Sequence, residues 1–479
     1  MFFSRSNTSF LIAGLLASSI AGSAELVSGI KDQTALAVTI YNSDLALIKD
    51  RRKINLPKGR SDLALRGVSA QMRPETALLR NIQTPAALQV LEQNFNFDLL
   101  TPEKMLEKYV GQTVEIVRMN PATGKETKQA VTILSTNSGV VAKIGGRIET
   151  NPEGRYIFPS IPDNLRDKPT LVTQIENSRG GSQELELSYL SQGLGWKADY
   201  VVELNSQDNA LDLAGWVTLT NDSGTTYPHA KLQLVAGDVN QVPEFDNYRR
   251  PMRMEMAMAA PSPAPMQEEA LFEYHLYTLN HPTTIADKQT KQVSLLNASK
   301  VPVTKELLFQ GQEYYYRSVY KSLGNSIKAS VYIQFENRTE DGMGMPLPKG
   351  VVRVYKGDKN GNAQFIGEDR IDHTPKNEKI RLKLGEAFDV TAKKTQMLYK
   401  KVNYGHPYTY AAESTYRIEL KNAKNKPVTV KVQEPIPGDW KILRESLKHK
   451  KLSSGRVEWE VEIPAEDSTI LEYRVRVRY

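Results

Sequence analysis

The stretch RVEWEVEIPAEDSTILEYRVRVRY, residues 456–479, decides the fold class because apolar and charged residues alternate along both of its halves. The apolar positions are Val457, Trp459, Val461 and Ile463 in the first half, and Leu471, Tyr473, Val475 and Val477 in the second. A period of two is that of a β-strand with one face on a core and the other in water. We therefore predict two antiparallel strands of a β-sandwich, joined as a hairpin through residues 464–469.

The charged positions of these two strands add a prediction about their pairing. They are Glu458, Glu460 and Glu462 in the first strand, and Arg474, Arg476 and Arg478 in the second. In a hairpin the glutamates would lie across from the arginines on the solvent side, each pair contributing roughly a few tenths of a kcal/mol.

The same alternation continues toward the N-terminus, in short runs that end at turn residues. Asn42-Ser43-Asp44 and Pro57-Lys58-Gly59 separate such runs within residues 35–65. One helix is predicted in LLTPEKMLEKYVG, residues 99–111, with Thr101 as N-cap, Pro102 at the first helical position and Gly111 as the stop. The chain is accordingly expected to be all-β, with few short helices.

A chain of 479 residues is too long for a single core, so several domains are expected. Short strands separated by turns suit a small SH3-like barrel, and the alternating C-terminal strands suit an antiparallel, immunoglobulin-like β-sandwich. The predicted segments are a signal peptide (1–24), an N-terminal β domain (25–97), the SH3-like barrel (98–160), strands of a β-sandwich (161–246), a linker or loop rich in Met, Pro and Ala (247–270), a central β domain (271–403) and the immunoglobulin-like sandwich (404–479).

Residues 1–24 have the pattern of a secretory signal peptide. Arg5 precedes an apolar stretch from Phe10 to about Ala17, and small residues follow as far as Ala24. Cleavage after Ala24 would place the protein in the periplasm or outside the cell. No later apolar stretch reaches the length of about 20 residues that a membrane-spanning helix needs.

Composition excludes several classes of function. The sequence has no cysteine, which excludes disulfides, thiolate catalysis and cysteine-ligated zinc. Its formal net charge of +7 is a mild excess that suits anionic surfaces such as lipid headgroups or acidic polysaccharide. No dense basic run with interleaved aromatic residues indicates a nucleic-acid partner.

A string of methionines is the sharpest candidate for a metal site. Met252, Met254, Met256 and Met258 alternate, so an extended chain would place four thioethers on one side. Thioethers are soft ligands that suit Cu(I). The alternative is a low-complexity loop that tolerates methionine, and three nearby arginines would repel a cation. No cofactor is expected.

Two other patterns that point to catalysis have structural alternatives. Asp222-Ser223-Gly224 is similar to the nucleophile region of trypsin-like proteases, but a turn between two strands explains it. The six histidines are scattered without the spacing of metal ligands. These residues are therefore expected to have structural or solvated roles.

Acidic residues between 358 and 372 suggest calcium binding or hydrolysis. A calcium loop starting at Asp358 would need glycine at its sixth position, which is Ala363, and Asn360-Gly361 instead indicates a hairpin. The clustered carboxylates would be the candidate acid and base of an envelope hydrolase, although clustered acids in a turn are usually solvated. These carboxylates belong to Glu368, Asp369 and Asp372.

The run EYYYRSVY, residues 313–320, concentrates tyrosines. If exposed, the rings would be stacking platforms for sugars. We favour the alternative of a β-strand with alternate tyrosines buried, in which Tyr315 faces the opposite side from Tyr314 and Tyr316. Tyr320 belongs to the same cluster of tyrosines.

The stretch LSYLSQGLGWKADYVVEL, residues 187–204, predicts a corner between two strands. Gly193 and Gly195 would permit positive φ and a tight reversal, and Trp196 would pack onto the core. Alternate residues from Ala198 to Val202 are expected to share the buried face. We interpret these glycines and this tryptophan as structural rather than catalytic.

Several stretches together resemble one bacterial family, catalogued as domain of unknown function 4139. They include residues 187–204, GWVTLTNDSGTTYPHAKLQLVAGDV, FEYHLYTL, MPLPKGVVRVYKGDKNGNAQFIGEDRIDHTPKNEKIRLKLGEAFDV and VQEPIPGDWKI, most strongly within residues 180–479. The resemblance implies an exported, β-rich protein and supplies no catalytic residues.

The function expected from the sequence is non-catalytic. The chain is interpreted as a cell-envelope interaction or structural protein that binds a protein or a polysaccharide. An envelope hydrolase that uses carboxylates and a methionine-rich loop that binds Cu(I) are the alternatives.

Overall fold

The computed structural model of the chain describes residues 25–42, 44–162, 165–237, 239–241, 266–320 and 322–479. Among these residues β-strands dominate and the single α-helix has seven residues, which confirms the predicted all-β class. The chain divides into two compact units. Of the described residues, the first unit contains those up to Ala37, Leu47–Gln192 and Ser223–Thr225, and the second unit contains those of Val38–Ala46, Gly193–Asp222 and Thr226–Tyr479.

The first unit is built from three sets of strands. Its elements in chain order are β1 (Leu26–Ser28), β2 (Gln33–Tyr41), β3 (Leu45–Leu56), β4 (Gly59–Arg66), β5 (Leu78–Asn81), β6 (Leu88–Asn96), α1 (Pro102–Lys108), β7 (Thr113–Met119), β8 (Glu126–Ser135), β9 (Val141–Ile144), β10 (Arg147–Thr150), β11 (Arg155–Ile157), β12 (Thr170–Asn177) and β13 (Gly181–Ser191), with 3₁₀ turns at Ile30–Asp32, Pro74–Thr76 and Pro85–Ala87. One sheet has the order β1-β4-β12-β6, a second has the order β10-β9-β8-β7-β11, and β13 lies between β3 and β5. The end of β2 and the start of β3 are assigned to the second unit.

Helix α1 begins as its sequence predicts. The Thr101 hydroxyl accepts a hydrogen bond from the Lys104 backbone N–H at 3.2 Å, and proline occupies the first turn. Met105 and Tyr109 pack into the core of the sheet β7–β11, which falls within the segment predicted as a barrel. The SH3-like classification of that sheet stays a prediction.

The second unit contains the longer strands. They are β14 (Leu194–Leu204), β15 (Ala210–Asn221), β16 (Tyr227–Ala236), β17 (Gln267–Leu271), β18 (Tyr274–Thr278), β19 (Thr283–Ile285), β20 (Gln289–Pro302), β21 (Thr304–Gln310), β22 (Ile327–Glu336), β23 (Gly350–Gly357), β24 (Ala363–Ile371), β25 (Lys379–Asn403), β26 (Tyr410–Asn422), β27 (Val428–Pro435), β28 (Asp439–Glu445), β29 (Lys450–Ser453), β30 (Arg456–Ile463) and β31 (Asp467–Arg478), with 3₁₀ turns at Glu313–Tyr316 and Thr339–Asp341. Strand β17 includes the last residues of the segment predicted as a linker, so strand structure resumes earlier than expected.

Two large sheets organise the second unit. One has the order β20-β15-β14-β23-β24, and the other has the order β28-β31-β26-β25-β22-β21-β27-β30-β29. In addition, β16 lies between β2 and β18, and β17 and β19 extend that group. The nine-stranded sheet contains strands from both the predicted central domain and the predicted immunoglobulin-like sandwich. The immunoglobulin-like classification stays a prediction.

The predicted hairpin between the last two strands is wrong. Strand β31 pairs with β26 and β28, whereas β30 pairs with β27 and β29, at the far end of the strand order. The alternation itself is confirmed, because all eight apolar residues of the two strands are buried. The period of two therefore identified the apolar faces correctly, but it did not specify which strands are neighbours. One glutamate of the predicted solvent face, Glu458, is also buried, and it accepts from the Gln433 amide at 2.7 Å.

The structure places a corner of the chain at Gly193. Gly193 has φ = +80°, and it separates β13 from β14, which belong to different sheets. Its N–H donates to the Asp44 carboxylate at 2.9 Å, and Trp196 is buried as expected. Gly195 differs from the prediction, because it lies within β14 opposite Thr220 and has no positive φ.

We expect Gly193→Val to lower the free energy of unfolding of the second unit by about 1–2 kcal/mol, because a left-handed conformation places the side chain against the following carbonyl. All four tryptophans belong to the second unit, so urea titration followed by tryptophan fluorescence measures this unit. Gly195→Ala is the matched control, because the nearest atom to a new Cβ there is 3.5 Å away. Equal losses in the two variants would contradict the assignment of the turn to Gly193.

Candidate functional site

Strand β31 presents three arginines on the exposed side of the nine-stranded sheet. Its apolar residues Leu471, Tyr473, Val475 and Val477 are buried, so the alternate residues face outward. The neighbouring strands add further cations on the same side. We call this surface the arginine face, and it consists of Lys400, Lys441, Arg444, Arg474, Arg476 and Arg478.

Strand register explains why these cations lie together. Glu413 of β26 is opposite both Lys400 of β25 and Arg476 of β31, and Arg476 is in turn opposite Lys441 of β28. Residues directly opposite each other in a sheet project from the same side. These four side chains therefore form one row across four strands.

A second row lies beside the first. Arg474 is opposite Thr415 on one side and Arg444 on the other. Like charges directly opposite each other repel, so an anionic ligand would relieve this repulsion. Lys400, Lys441 and Arg444 are exposed, and among the described residues no carboxylate lies within ion-pair distance of them.

Glu413 is the one carboxylate in the middle of the face. It accepts from Arg474 Nη2 at 2.5 Å and from Arg476 Nε at 2.7 Å, and its side chain is 9% exposed. Burial raises the pKa of this carboxyl, but the two guanidinium groups outweigh burial and hold the pKa below its usual value. Glu413 is therefore ionised at neutral pH and neutralises only one of its two arginines.

Tyrosines border the face where β31 ends. The Arg478 guanidinium lies 5.5 Å from the Tyr404 ring centre and 5.6 Å from that of Tyr408, and its Nη1 donates to Asp439 Oδ2 at 2.8 Å. The Tyr408 hydroxyl donates to the same Asp439 oxygen at 2.6 Å. Cation–π contacts and the ion pair together fix the position of this arginine.

The arrangement suits a ligand that carries repeated negative charges. Glu413 and Asp439 offset two of the six cations, which leaves four positive charges in excess within the face. Alternate residues along β31 repeat at about 7 Å, and neighbouring strands lie about 4.8 Å apart. A flexible chain with closely spaced acidic groups can contact several of these cations at once.

The predicted catalytic and metal-binding residues do not form such a site. The methionines Met252, Met254, Met256 and Met258 lie outside the described residues. Within the described part of the chain, no group of three or more His, Asp or Glu side chains could hold a metal ion. Two of the histidines instead pair with single carboxylates, His275 with Glu268 and His449 with Glu445.

The clustered acids have separate partners. Glu368 pairs with Arg353 at 3.2 Å, and Asp369 accepts from the Lys383 backbone N–H at 2.7 Å. The hairpin signal next to them is confirmed, because β23 and β24 pair antiparallel around Gly361, which has φ = +82°.

The serine of Asp222-Ser223-Gly224 lies in a turn, as the structural alternative predicts. This turn connects β15 to β16, and Gly224 has φ = +78°. The Ser223 carbonyl accepts from the Ala70 N–H at 2.9 Å and from the Ser69 hydroxyl at 3.1 Å. The residue is fully buried, so the structure favours a role in packing.

The tyrosine run is not the strand that we favoured. Residues Glu313–Tyr316 form a 3₁₀ turn, in which Tyr315 and Tyr316 are both buried while Tyr314 is 52% exposed. Three residues per turn, unlike a strand, allow two consecutive side chains to point toward the core. The exposed ring of Tyr314 lies 5.5 Å from the Tyr320 ring.

Half of the arginine face could have been found from the sequence. The alternation of Arg474, Arg476 and Arg478 marks them as one exposed side, but the predicted hairpin would have neutralised them with glutamates. The sequence contains no signal that places Lys400, Lys441 and Arg444 beside them, because strand alternation does not specify the neighbouring strand.

None of the helices in the described part of the chain has the length and apolar character needed to cross a membrane.

Comparisons with known proteins place the chain in a family. No protein of curated function matches the chain. The model of the domain of unknown function DUF4139 matches residues 185–479, which include every residue of the arginine face. The chain therefore belongs to the DUF4139 family.

Proposed function

We propose that this protein is a non-catalytic binding protein of the cell envelope, and that its arginine face binds an acidic polysaccharide. The observation that carries the proposal is the excess of four positive charges on one exposed side of four neighbouring strands. The signal-peptide pattern of residues 1–24 supports an exported location, where such polymers occur.

A polysaccharide fits this surface better than the other anionic partners. The cations lie on the side of a sheet, whereas sequence-specific DNA binding usually places a helix or a two-stranded ribbon in the major groove. The exposed Tyr404 ring at the border offers a flat surface for a sugar ring, as aromatic side chains commonly do. Carboxylates repeated along a polymer would meet the row of Lys400, Arg476 and Lys441.

The hydrolase alternative lacks a supporting observation in this structure. A pair of catalytic carboxylates needs a separation of about 5–10 Å and one raised pKa in an apolar cleft. Glu368 and Asp369 instead have an arginine and a backbone N–H as their separate partners. Binding of Cu(I) concerns methionines outside the described residues and gains no support from the arginine face.

The proposal predicts that reversing three cations abolishes binding of a polyuronate. In the triple variant Lys400→Glu, Lys441→Glu, Arg444→Glu, we expect the dissociation constant for polygalacturonate to rise by roughly a hundredfold or more. Each cation near an anionic surface contributes about 1 kcal/mol, and every 1.4 kcal/mol is a factor of ten. Isothermal titration calorimetry at low and at physiological salt measures the change, with neutral dextran as a ligand control.

A matched variant separates the arginine face from net charge. Lys58→Glu, Lys125→Glu, Lys143→Glu changes the net charge by the same amount through three exposed lysines of the first unit. We expect it to keep most of the affinity. Equal weakening in both triple variants, or binding to anionic phospholipid vesicles without binding to polygalacturonate, would refute the proposal.

A further inference from the structure

A buried ion pair lies in the core of the second unit, away from any surface. Lys394 of β25 and Glu434 of β27 approach with Nζ and Oε1 2.6 Å apart, and their side chains are 3% and 2% exposed. Removing both charges from water costs several kcal/mol per ion, which their attraction offsets only in part. Such a pair therefore needs a physical explanation.

Tyrosines enclose the lysine and connect it to the carboxylate. The Lys394 ammonium lies 4.5 Å from the Tyr315 ring centre and 4.8 Å from that of Tyr416. Burial lowers the pKa of Lys394, and the neighbouring Glu434 carboxylate acts in the opposite direction. The lowered pKa favours the neutral amine, which is the nucleophilic form.

Two hydroxyl groups form a path between the lysine nitrogen and the second carboxylate oxygen. Lys394 Nζ donates to the Tyr473 hydroxyl at 3.4 Å, and that hydroxyl lies 2.9 Å from the Tyr316 hydroxyl. The Tyr316 hydroxyl in turn donates to Glu434 Oε2 at 2.8 Å. Burial raises the pKa of both tyrosines well above the usual value, so they stay protonated and can relay protons.

The backbone at the end of β21 leaves room for the Glu434 carboxylate only because residue 311 is glycine. A Cβ on Gly311 would clash with the oxygens of Glu434, so glycine lets β21 approach the side chain closely. Tyr316, Tyr473 and Tyr416 are buried around the pair, so among the described residues its two charged groups are almost fully shielded from solvent. Any reaction of these groups must therefore occur between the two side chains themselves.

We propose that Lys394 and Glu434 condense into an intramolecular amide bond once the chain has folded. The lysine nitrogen attacks Glu434 Cδ, a bond forms between Nζ and Cδ, and the bond between Cδ and Oε2 breaks. The ammonium gives up two protons, which pass through the Tyr473 and Tyr316 hydroxyls to Oε2. That oxygen then leaves as water, so no oxidant, reductant or other reactant is needed.

The buried environment favours the product. The amide is neutral, so its formation removes two buried charges and the free-energy cost of their desolvation. The Tyr316 hydroxyl already donates to Oε2, the oxygen that leaves, so it is placed to protonate that oxygen as a preorganised donor does in an active site. The bond would join β25 to β27 covalently in a chain that has no cysteine for disulfides. This inference stands apart from the proposed function.

Mass spectrometry of the purified full chain tests the bond directly. We expect the intact mass, measured under denaturing conditions, to be about 18 Da below the value calculated from the sequence after any leader cleavage. After proteolysis, we expect a branched peptide that joins the segments around residues 394 and 434. An unmodified intact mass with the two peptides recovered separately would overturn the proposal.

Variants assign the mass change to this pair. Lys394→Arg should restore the unmodified mass, and Glu434→Gln should lose about 17 Da instead, because ammonia then leaves in place of water. The Glu434→Gln result is a gain of a distinct product, so misfolding cannot imitate it. Lys431→Arg, at the more exposed pair with Glu306, is the matched control and should keep the loss of about 18 Da. Loss of the branched peptide in that control, or its persistence in Lys394→Arg, would also refute the assignment.

Discussion

Trp459→Ala is expected to lower the free energy of unfolding of the second unit by about 3–5 kcal/mol, the range for removing a buried aromatic side chain. Trp459 is fully buried, and its ring stacks on Tyr473 with the ring centres 4.7 Å apart. Its indole N–H donates to Glu445 Oε2 at 3.0 Å. The substitution therefore creates a cavity and also leaves a carboxylate oxygen without one of its donors.

Urea titration followed by the fluorescence of the remaining three tryptophans measures this loss. Trp440→Ala is the matched control, because Trp440 is only half-buried and its indole N–H donates to the Ser454 carbonyl at 2.5 Å. We expect the control to lose less than half as much stability. If the two variants were destabilised equally, the core would not be centred on Trp459.

The fold class followed from local pattern, whereas the pairing of strands did not. Alternation identified the buried faces of β30 and β31, and glycines at turns identified the hairpin at Gly361. The hairpin between β30 and β31 failed because a charged face carries no information about which strand lies next to it. The 3₁₀ turn at Glu313–Tyr316 was missed because tyrosine favours strands and a single turn is too short to show a period.

The arginine face and the buried pair were hidden for related reasons. Lys400, Lys441 and Arg444 join the three arginines only through the register of four strands. Lys394 follows Lys393 directly, and the sequence does not tell which of the two faces the core. The structure shows that Lys394 is buried and Lys393 exposed, since a shift of one residue exchanges the two faces.

The buried pair leads to the second large effect on stability. Relative to the chain with the unreacted ion pair, we expect Lys394→Met and Glu434→Leu each to lower the free energy of unfolding by about 3–5 kcal/mol, because each leaves the other charged group buried without its partner. In the double variant no buried charge remains, and two apolar side chains of similar volume can pack in the core. Its free energy of unfolding should therefore exceed that of either single variant.

Comparing the free energy of unfolding of the double variant with those of the single variants distinguishes an effect of buried charge from an effect of packing. If the side chains acted only through their volume, the two losses would add, and the double variant would be the least stable of the three. The Tyr316 hydroxyl loses its acceptor in both Glu434 variants, but the Tyr473 hydroxyl, 2.9 Å away in the unsubstituted chain, can replace it. Since none of the three variants can form the amide bond, that bond does not affect their order. Urea titrations of the three proteins, followed by tryptophan fluorescence, measure their free energies of unfolding. A double variant more stable than either single variant would show that the unpaired buried charge causes the loss.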